Sequence, residues 1–536
     1  MERRALLAGA LAVTTAGVVS ACTGGRADGP PGATANKPPA SRGTSPASPA
    51  SPSTTAPAGP PRWGALASGL DGRLVRPGDG AYDTARQLYN TRFDQLKPAA
   101  VAYVAGEDDI RECLAFARAH GTPVSIRNGG HSYAGWSSGN GRLVIDISSL
   151  DGLGDAASDG VIGAGAKLVD VYGALARKDR TIPGGSCATV GISGLTLGGG
   201  HGVVSRAYGL TCDSLVSATL VTADGRRLTA DAEHHPDLFW ALRGAGNGNF
   251  GVVTELRFRT HPAPDGVTAH LNWPWSKARS VVAAWQEWGP DQPDEIWSSL
   301  HLAVGAGGGA ADPTVSLSAF TLGTESDLRN AVDRLADRAG SPASLVALRP
   351  RGYEESMLAF AGCAGLSDEQ CRLPGTTPGR GKDGVLRRET YAATSDFYDR
   401  SLPSPGIGTL LAAVEDFSRI EVADGAGAGT ITLTALGGAI NRVDPPATSF
   451  VHRGSRMLAQ YVASWRPGTP GTRQRAWLRT SQDSLRRYAS GAAYQNYTDP
   501  DLTDWRTAYY GPAAGRLKTV KERYDPDRLF HFPQAL

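Results

Sequence analysis

Ile126-Arg127-Asn128-Gly129-Gly130-His131-Ser132-Tyr133 is the first of two glycine-rich runs on which the reading of this chain turns. The second is Pro183-Gly184-Gly185-Ser186-Cys187-Ala188-Thr189-Val190-Gly191, continuing to Gly194-Leu195-Thr196-Leu197-Gly198-Gly199-Gly200-His201-Gly202. Glycine lets backbone amides approach an anionic group closely and adopt conformations that a β-carbon forbids. Successive amides in such a loop form an anion-binding concavity. Each run also carries a nucleophile, an imidazole in the first and a thiol in the second, and together they suit one cofactor gripped from two sides. Singly they say little. A His after two glycines is commonly a turn residue, and a lone Cys is commonly a small buried hydrophobe.

The joint pattern continues from about Pro98 to His261. It takes in Tyr208-Gly209-Leu210-Thr211-Cys212-Asp213, Pro236-Asp237-Leu238-Phe239-Trp240-Ala241-Leu242-Arg243-Gly244 and Asn249-Phe250-Gly251-Val252-Val253-Thr254. These segments resemble the berberine bridge enzyme-like branch of the vanillyl-alcohol oxidase superfamily. The resemblance implies an α+β chain with a PCMH-type FAD-binding fold and a second α/β substrate domain. It implies bicovalent FAD, with His131 bonded to the 8α carbon and Cys187 to carbon 6. Arg127, Asn128, Gly129, Gly130 and Ser132 fall beside the cofactor, as do Val190, Gly191 and Gly194. Gly198, Gly199, Gly200 and Gly202 follow, then Gly251 and Val253. A dinucleotide-type fold is the competing cofactor reading, but Gly198 to Gly202 does not reproduce G-x-G-x-x-G and lacks a helix with an acidic residue at the ribose spacing.

Ala493-Tyr494-Gln495-Asn496-Tyr497-Thr498-Asp499 resembles the family's Tyr-x-Asn-Tyr motif. Carried over residue by residue, Tyr494 is the candidate base for a substrate hydroxyl and Asn496 a flavin contact. A phenol, with a free pKa of about 10, serves as a base only if its site lowers that value. Without the flavin motifs, Tyr494 and Tyr497 read simply as amphipathic residues at a domain boundary. Gln460, in Leu458-Ala459-Gln460-Tyr461-Val462, falls where one subgroup places a substrate-side glutamine, and reads equally as an outward strand residue. That subgroup has Lys where this chain has Leu458, so its aromatic-alcohol substrates do not transfer. Related oxidases carry Val at position 190, whereas some oxygen-insensitive relatives carry Leu.

With 536 residues the chain is long for one core and points to two domains. A formal net charge of +2, with no basic block, argues against a nucleic-acid partner. Glu2-Arg3-Arg4 followed by apolar Ala5 to Val19 reads as an export leader too short to span a bilayer. Val19-Ser20-Ala21-Cys22 resembles a bacterial lipobox, which would make Cys22 a lipid anchor and the only membrane contact. Arg3-Arg4 loosely resembles a twin-arginine signal, so the expected location is the cell surface or the exterior; a simple cleaved secretory signal is the alternative. Residues 23–62, dominated by Gly, Ala, Pro, Ser and Thr, read as a disordered tether. Of the six cysteines, Cys113 and Cys212 are expected in the core. Cys363 and Cys371 are close enough to pair, although sequence alone does not fix the geometry.

A helix is expected over Tyr82–Phe93, another over Glu107–His120 and a third over Val169–Arg177. Short strands are expected at Ala99–Val104, Val124–Ile126, Leu143–Ile147 and Val161–Gly165. The FAD-binding domain is placed at 63–267, with its core at about 95–262. A substrate domain follows at 268–466, an antiparallel sheet with helices on one face, and 467–536 return to the FAD domain. Trp273, Trp275, Trp285, Trp288 and Trp297 form a cluster, read as core rather than as a sugar platform. The leading expectation is an exported oxidase of a hydroxyl group on a small molecule, a sugar or secondary metabolite, with molecular oxygen as acceptor and no metal. A flavin dehydrogenase with another acceptor and a non-catalytic tethered binding protein are the alternatives. The oligomeric state is not legible.

Overall fold

The computed structural model describes residues 61–154, 159–305, 313–420 and 427–536. The leader, Cys22 and all but the last two residues of the expected tether lie outside them.

Two four-stranded sheets build most of the N-terminal half. The first runs in the order Arg73–Val75, Ala100–Tyr103, Leu143–Asp146, Val124–Arg127, with the last three strands mutually parallel. Helix Glu107–His120 belongs to the same core, burying Ile110, Cys113, Leu114 and Ala117. Its first turn carries Glu107, Asp108 and Asp109 and its last Arg118 and His120, charges that complement the helix dipole. Gly121, at φ 60°, ends it in the left-handed conformation that glycine takes readily. The second sheet is antiparallel, in the order Asp159–Gly163, Val252–Arg259, Leu215–Val221, Arg227–Ala230.

A seven-stranded antiparallel sheet forms the other half, as the sequence pattern predicts. Its order is Leu345–Arg351, Gly266–Trp273, Thr314–Thr321, Ile296–Gly305, Gly427–Ala435, Met457–Trp465, Tyr391–Tyr398. Helices Ala278–Trp288, Glu325–Ala339, Ser404–Ser418 and Thr472–Leu485 share a core with it. Trp273, Trp285 and Trp288 are buried there, with the indole N–H groups of Trp285 and Trp288 donating to Ser298 Oγ and Ala331 O. Strand side chains alternate between faces. Ala459, Tyr461 and Ala463 enter this core, so Leu458, Gln460 and Val462 face the opposite way, as do Tyr391 and Ala393 on the neighbouring strand.

Two expectations need correction. Tyr82–Phe93 is not one helix: a short helix at Tyr82–Ala85 and a 3-10 turn at Thr91–Phe93 flank an irregular stretch. Tertiary contacts override helical spacing there. Tyr89 N–H donates to Gly130 O at 3.1 Å, and Asn90 Nδ2 donates to Tyr391 O at 2.8 Å. Helix Thr472–Leu485 stays with the second sheet, burying Trp477, Leu478 and Leu485, so the return to the FAD domain begins well after 467. Cys363 and Cys371 form a disulfide with 5.7 Å between Cα atoms.

Candidate active site

Strand Val124–Arg127 ends in the first glycine run. Arg127 and Asp146 are register partners on adjacent strands and form a buried ion pair at 2.5 Å. Arg127 therefore clamps the sheet beneath the loop. Asn128 Nδ2 donates to Ala164 O at 2.6 Å, and Lys167 Nζ donates to Asn128 Oδ1 at 2.7 Å. A β-carbon on Gly129 would lie 2.5 Å from Thr189 O and 2.6 Å from Gly191 N, so glycine is what lets the two runs touch. At that junction His131 Nε2 lies 2.8 Å from Thr189 Oγ1, and the imidazole stacks on Tyr89 with ring centroids 4.0 Å apart. Burial, reinforced by the nearby Lys167 charge, lowers the His131 pKa to about 3. The ring is thus a neutral nucleophile throughout the physiological range.

A cavity of about 350 Å³ opens beside this junction. His131 and Cys187 both line it, joined by Asn128, Gly129, Gly130 and Ser132 from the first run and by Val190, Gly191, Gly194 and Gly202 from the second. Asn496 enters from the C-terminal motif. The remaining cofactor candidates stand behind the wall. Gly198 packs against Asn496, where a β-carbon would meet Oδ1 at 2.0 Å. Gly251 packs against Val221 O, and Val253 is a buried residue of strand Val252–Arg259. Gly199 and Gly200 take φ 116° and 81° and aim the Gly200 N–H at Tyr494. Several of the motif glycines thus serve close approach between protein segments rather than direct contact with a ligand. The Cys187 sulfur is held in a disulfide bond.

The opposite wall is aromatic. Tyr494 Oη accepts two hydrogen bonds at 2.9 Å, from Gly200 N–H and from Asn496 Nδ2–H. The same Asn496 nitrogen donates to Leu195 O at 2.9 Å, and Oδ1 accepts from Asn247 Nδ2 at 2.8 Å, which fixes the amide orientation. The lowered phenol pKa that a base would need is not found at Tyr494. Burial raises it, and the two donors to its oxygen only partly oppose that effect. Tyr497 Oη lies 2.8 Å from His201 Nε2. Tyr133 stacks on Tyr497 with centroids 5.3 Å apart and accepts a 2.8 Å hydrogen bond from Gln460 Nε2. Gln460 therefore faces the cavity, as the resemblance implies.

FAD fits the polar chemistry of this wall. Ser137 Oγ, Asn247 Oδ1, Gln495 Oε1 and Gln534 Oε1 are buried without a hydrogen-bond partner on residues that line the cavity. Buried polar atoms are normally satisfied, and a cofactor rich in amide, hydroxyl and phosphate groups would satisfy them. His201, Tyr133, Trp297 and Gln534 also line the cavity, beyond the candidates read from sequence. Trp297 corrects the expectation that its cluster is all core. His201 and Tyr133 sit inside the quoted glycine runs, and only the fold shows that their side chains reach the cavity. Gln534 carries no local signal.

Comparison with known proteins agrees with this geometry. The family model for the FAD binding domain matches residues 98–231, and that described as "Berberine and berberine like" matches residues 493–536. The FAD-linked oxidoreductase YgaK of Bacillus subtilis, itself uncharacterized, is 32% identical over 476 residues, covering 87% of this chain and 97% of the relative. A chitooligosaccharide oxidase of Gibberella zeae is 30% identical over 468 residues, covering 84% and 89%. Among solved structures, BBE-like 1 of Physcomitrella patens matches with a TM-score of 0.78 at 30% identity, covering 88% of this chain and 98% of its own. Xylooligosaccharide oxidase from Myceliophthora thermophila C1, in complex with xylobiose, matches at 0.75 with 27% identity, covering 88% and 98%.

Proposed function

Because this chain belongs to the berberine bridge enzyme-like family of FAD-linked oxidoreductases, we propose that it oxidises a carbon-bound hydroxyl on a small molecule, a sugar in the first instance. FAD is held covalently by His131 and Cys187, and molecular oxygen is the electron acceptor, giving hydrogen peroxide. The observation that carries this reading is the convergence of Tyr494, Tyr497, Tyr133 and Gln460 on the cavity that His131 and Cys187 also line. Carbohydrate-oxidising relatives support the substrate class. A thioether from Cys187 requires that sulfur as a thiol, so flavin attachment and the disulfide are alternative fates of one atom. With His131 Nε2 engaged by Thr189, Nδ1 is the nitrogen for the flavin bond.

Bound FAD would supply the hydride acceptor. The protein has to hold the hydroxyl, exclude water and take one proton. Tyr494 holds the hydroxyl: both phenolic lone pairs receive donors, so its O–H is the group left to donate to the substrate oxygen. Gln460 and Tyr133 form the neighbouring polar wall. Mixing the purified protein anaerobically with xylobiose or chitobiose should bleach the flavin, and readmitted oxygen should restore the colour and yield peroxide. Failure of sugars and other alcohols alike to bleach it would remove the reading.

Tyr494→Phe should slow flavin reduction about 10- to 100-fold, the worth of one hydrogen bond to a developing charge at ~1.5–3 kcal/mol. Flavin content and the pH profile of reduction should stay as in wild type. Loss of the pH dependence together with the rate would return the base role to Tyr494.

Val190→Leu should slow reoxidation by oxygen far more than reduction by substrate, since Val190 lines the cavity and the larger side chain narrows the approach. Stopped-flow measurement of each half-reaction checks this. Equal reoxidation rates would remove Val190 as the gate and leave the oxidase reading resting on the resemblance to related oxidases alone. Export and lipid anchoring at Cys22 belong to the same proposal, and Cys22→Ala should move the protein from the membrane fraction to the medium.

A further inference from the structure

We propose that the substrate proton is taken by Tyr497 working with His201, the phenol passing its own proton to His201 Nε2 as it accepts that of the substrate hydroxyl. The inference rests on the oxidase reading and completes it. Burial raises the pKa of both phenols on this wall, so either can act as a base only if its own proton has somewhere to go, and the two differ in that respect. Tyr494 receives two donors on its oxygen, leaving it a donor. Tyr497 Oη sits 2.8 Å from an imidazole nitrogen, and in the Nδ1–H tautomer that nitrogen is an acceptor. Its O–H then points at His201, which leaves the oxygen lone pairs open to the cavity that both residues line.

The step balances. The C–H hydrogen leaves with its electron pair as hydride, which bound FAD would accept, and the O–H bond breaks with its proton going to Tyr497 Oη. The former Tyr497 proton moves to His201 Nε2. The carbonyl product, neutral Tyr497 and an imidazolium remain. The groups around the imidazole are Tyr494 and Tyr497 from the C-terminal motif, with Tyr133 stacked on Tyr497 from the first glycine run. Cys212 lies close enough to act on Tyr494. Burial alone accounts for the lowered His201 pKa of about 4. The imidazole is therefore neutral, and able to accept, above that pH.

Nitrogen-15 NMR of histidine-labelled protein tests the resting pair without any substrate, with His201 assigned by the signal missing in His201→Gln. The expected result is an unprotonated, hydrogen-bonded Nε2 whose shift moves in Tyr497→Phe. A proton on Nε2 in wild type would overturn the proposal. Kinetics form the second arm, with xylobiose or chitobiose as the probe and anaerobic flavin bleaching as the signal. Tyr497→Phe should slow reduction by about 10²–10⁴-fold, the usual reach of general-base catalysis. In wild type the rate should rise as pH climbs through the His201 pKa, since the neutral ring is the working form. His201→Gln keeps an acceptor for the Tyr497 hydroxyl but no basic nitrogen, so it should lose both the rise and most of the rate. Wild-type rates in either variant would overturn the proposal. If neither sugar bleaches the flavin, the sugar reading fails, while the NMR result still decides the pair.

Discussion

The double variant His131→Ala, Cys187→Ala should release all of its FAD on acid denaturation, whereas the wild-type precipitate should stay yellow. Each single variant should keep one bond, and the wild-type flavin should remain on peptides containing both residues. The physical case is strongest at His131. A neutral ring, stacked on Tyr89 and engaged by Thr189 at one nitrogen, presents the other with little rotational freedom. For Cys187 the outcome also decides which fate of the sulfur prevails. Free FAD from denatured, fully loaded His131→Ala would mean one flavin bond, with Cys187 committed elsewhere. Free FAD from wild type would end the covalent proposal.

Lys521→Met should destabilise the protein by about 3–5 kcal/mol, the usual consequence of leaving one member of a buried ion pair alone. The ammonium and Asp525 carboxylate meet at 2.6 Å with side chains 1% and 0% exposed. Lys521 Nζ also donates to Asn249 O and Phe530 O, while the Asp525 carboxylate accepts from Leu529 N–H and Phe530 N–H. The ion pair lies within the C-terminal tail, and the Lys521 hydrogen bond to Asn249 O ties that tail to the segment leading into strand Val252–Arg259. A fall in the denaturant midpoint at unchanged slope checks the prediction. In a double-mutant cycle, Lys521→Met with Asp525→Asn should be less destabilised than the sum of the two single changes. Additive losses would show that the two side chains act independently.

The sequence is most legible where short-range pattern and tertiary role coincide. Glu107–His120 has acidic and basic ends, an apolar stripe and a closing glycine, and it forms as a helix over those residues. Thr314–Thr321 and Met457–Trp465 show strand alternation and pair in one antiparallel sheet. Where long-range contacts dominate, local pattern misleads. The spacing of Ala85, Leu88 and Tyr89 looks helical, but Tyr89 is drawn to His131 and Asn90 to Tyr391. Helix Thr472–Leu485 gives no local sign of which half it joins.

The same limit applies to the candidate site. His131, Cys187, Asn496 and Gln460 reach one cavity, as their motifs imply. The difference between Tyr494 and Tyr497 lies in partners about three hundred residues away, Gly200 and His201, and no spacing rule exposes it. Trp297 reads as one more core tryptophan until the sheet places it beside the cavity.

The cavity wall is completed by residues some three hundred positions beyond the two flavin-bonding candidates. Tyr494, Asn496, Tyr497 and Gln534 all come from the final stretch, whereas both flavin-bonding candidates lie in the first half. During synthesis the N-terminal half emerges and begins to fold first, with its pocket still open on the side that the tail later closes. A cofactor that reached the half-folded protein would therefore meet the pocket before its aromatic wall was in place.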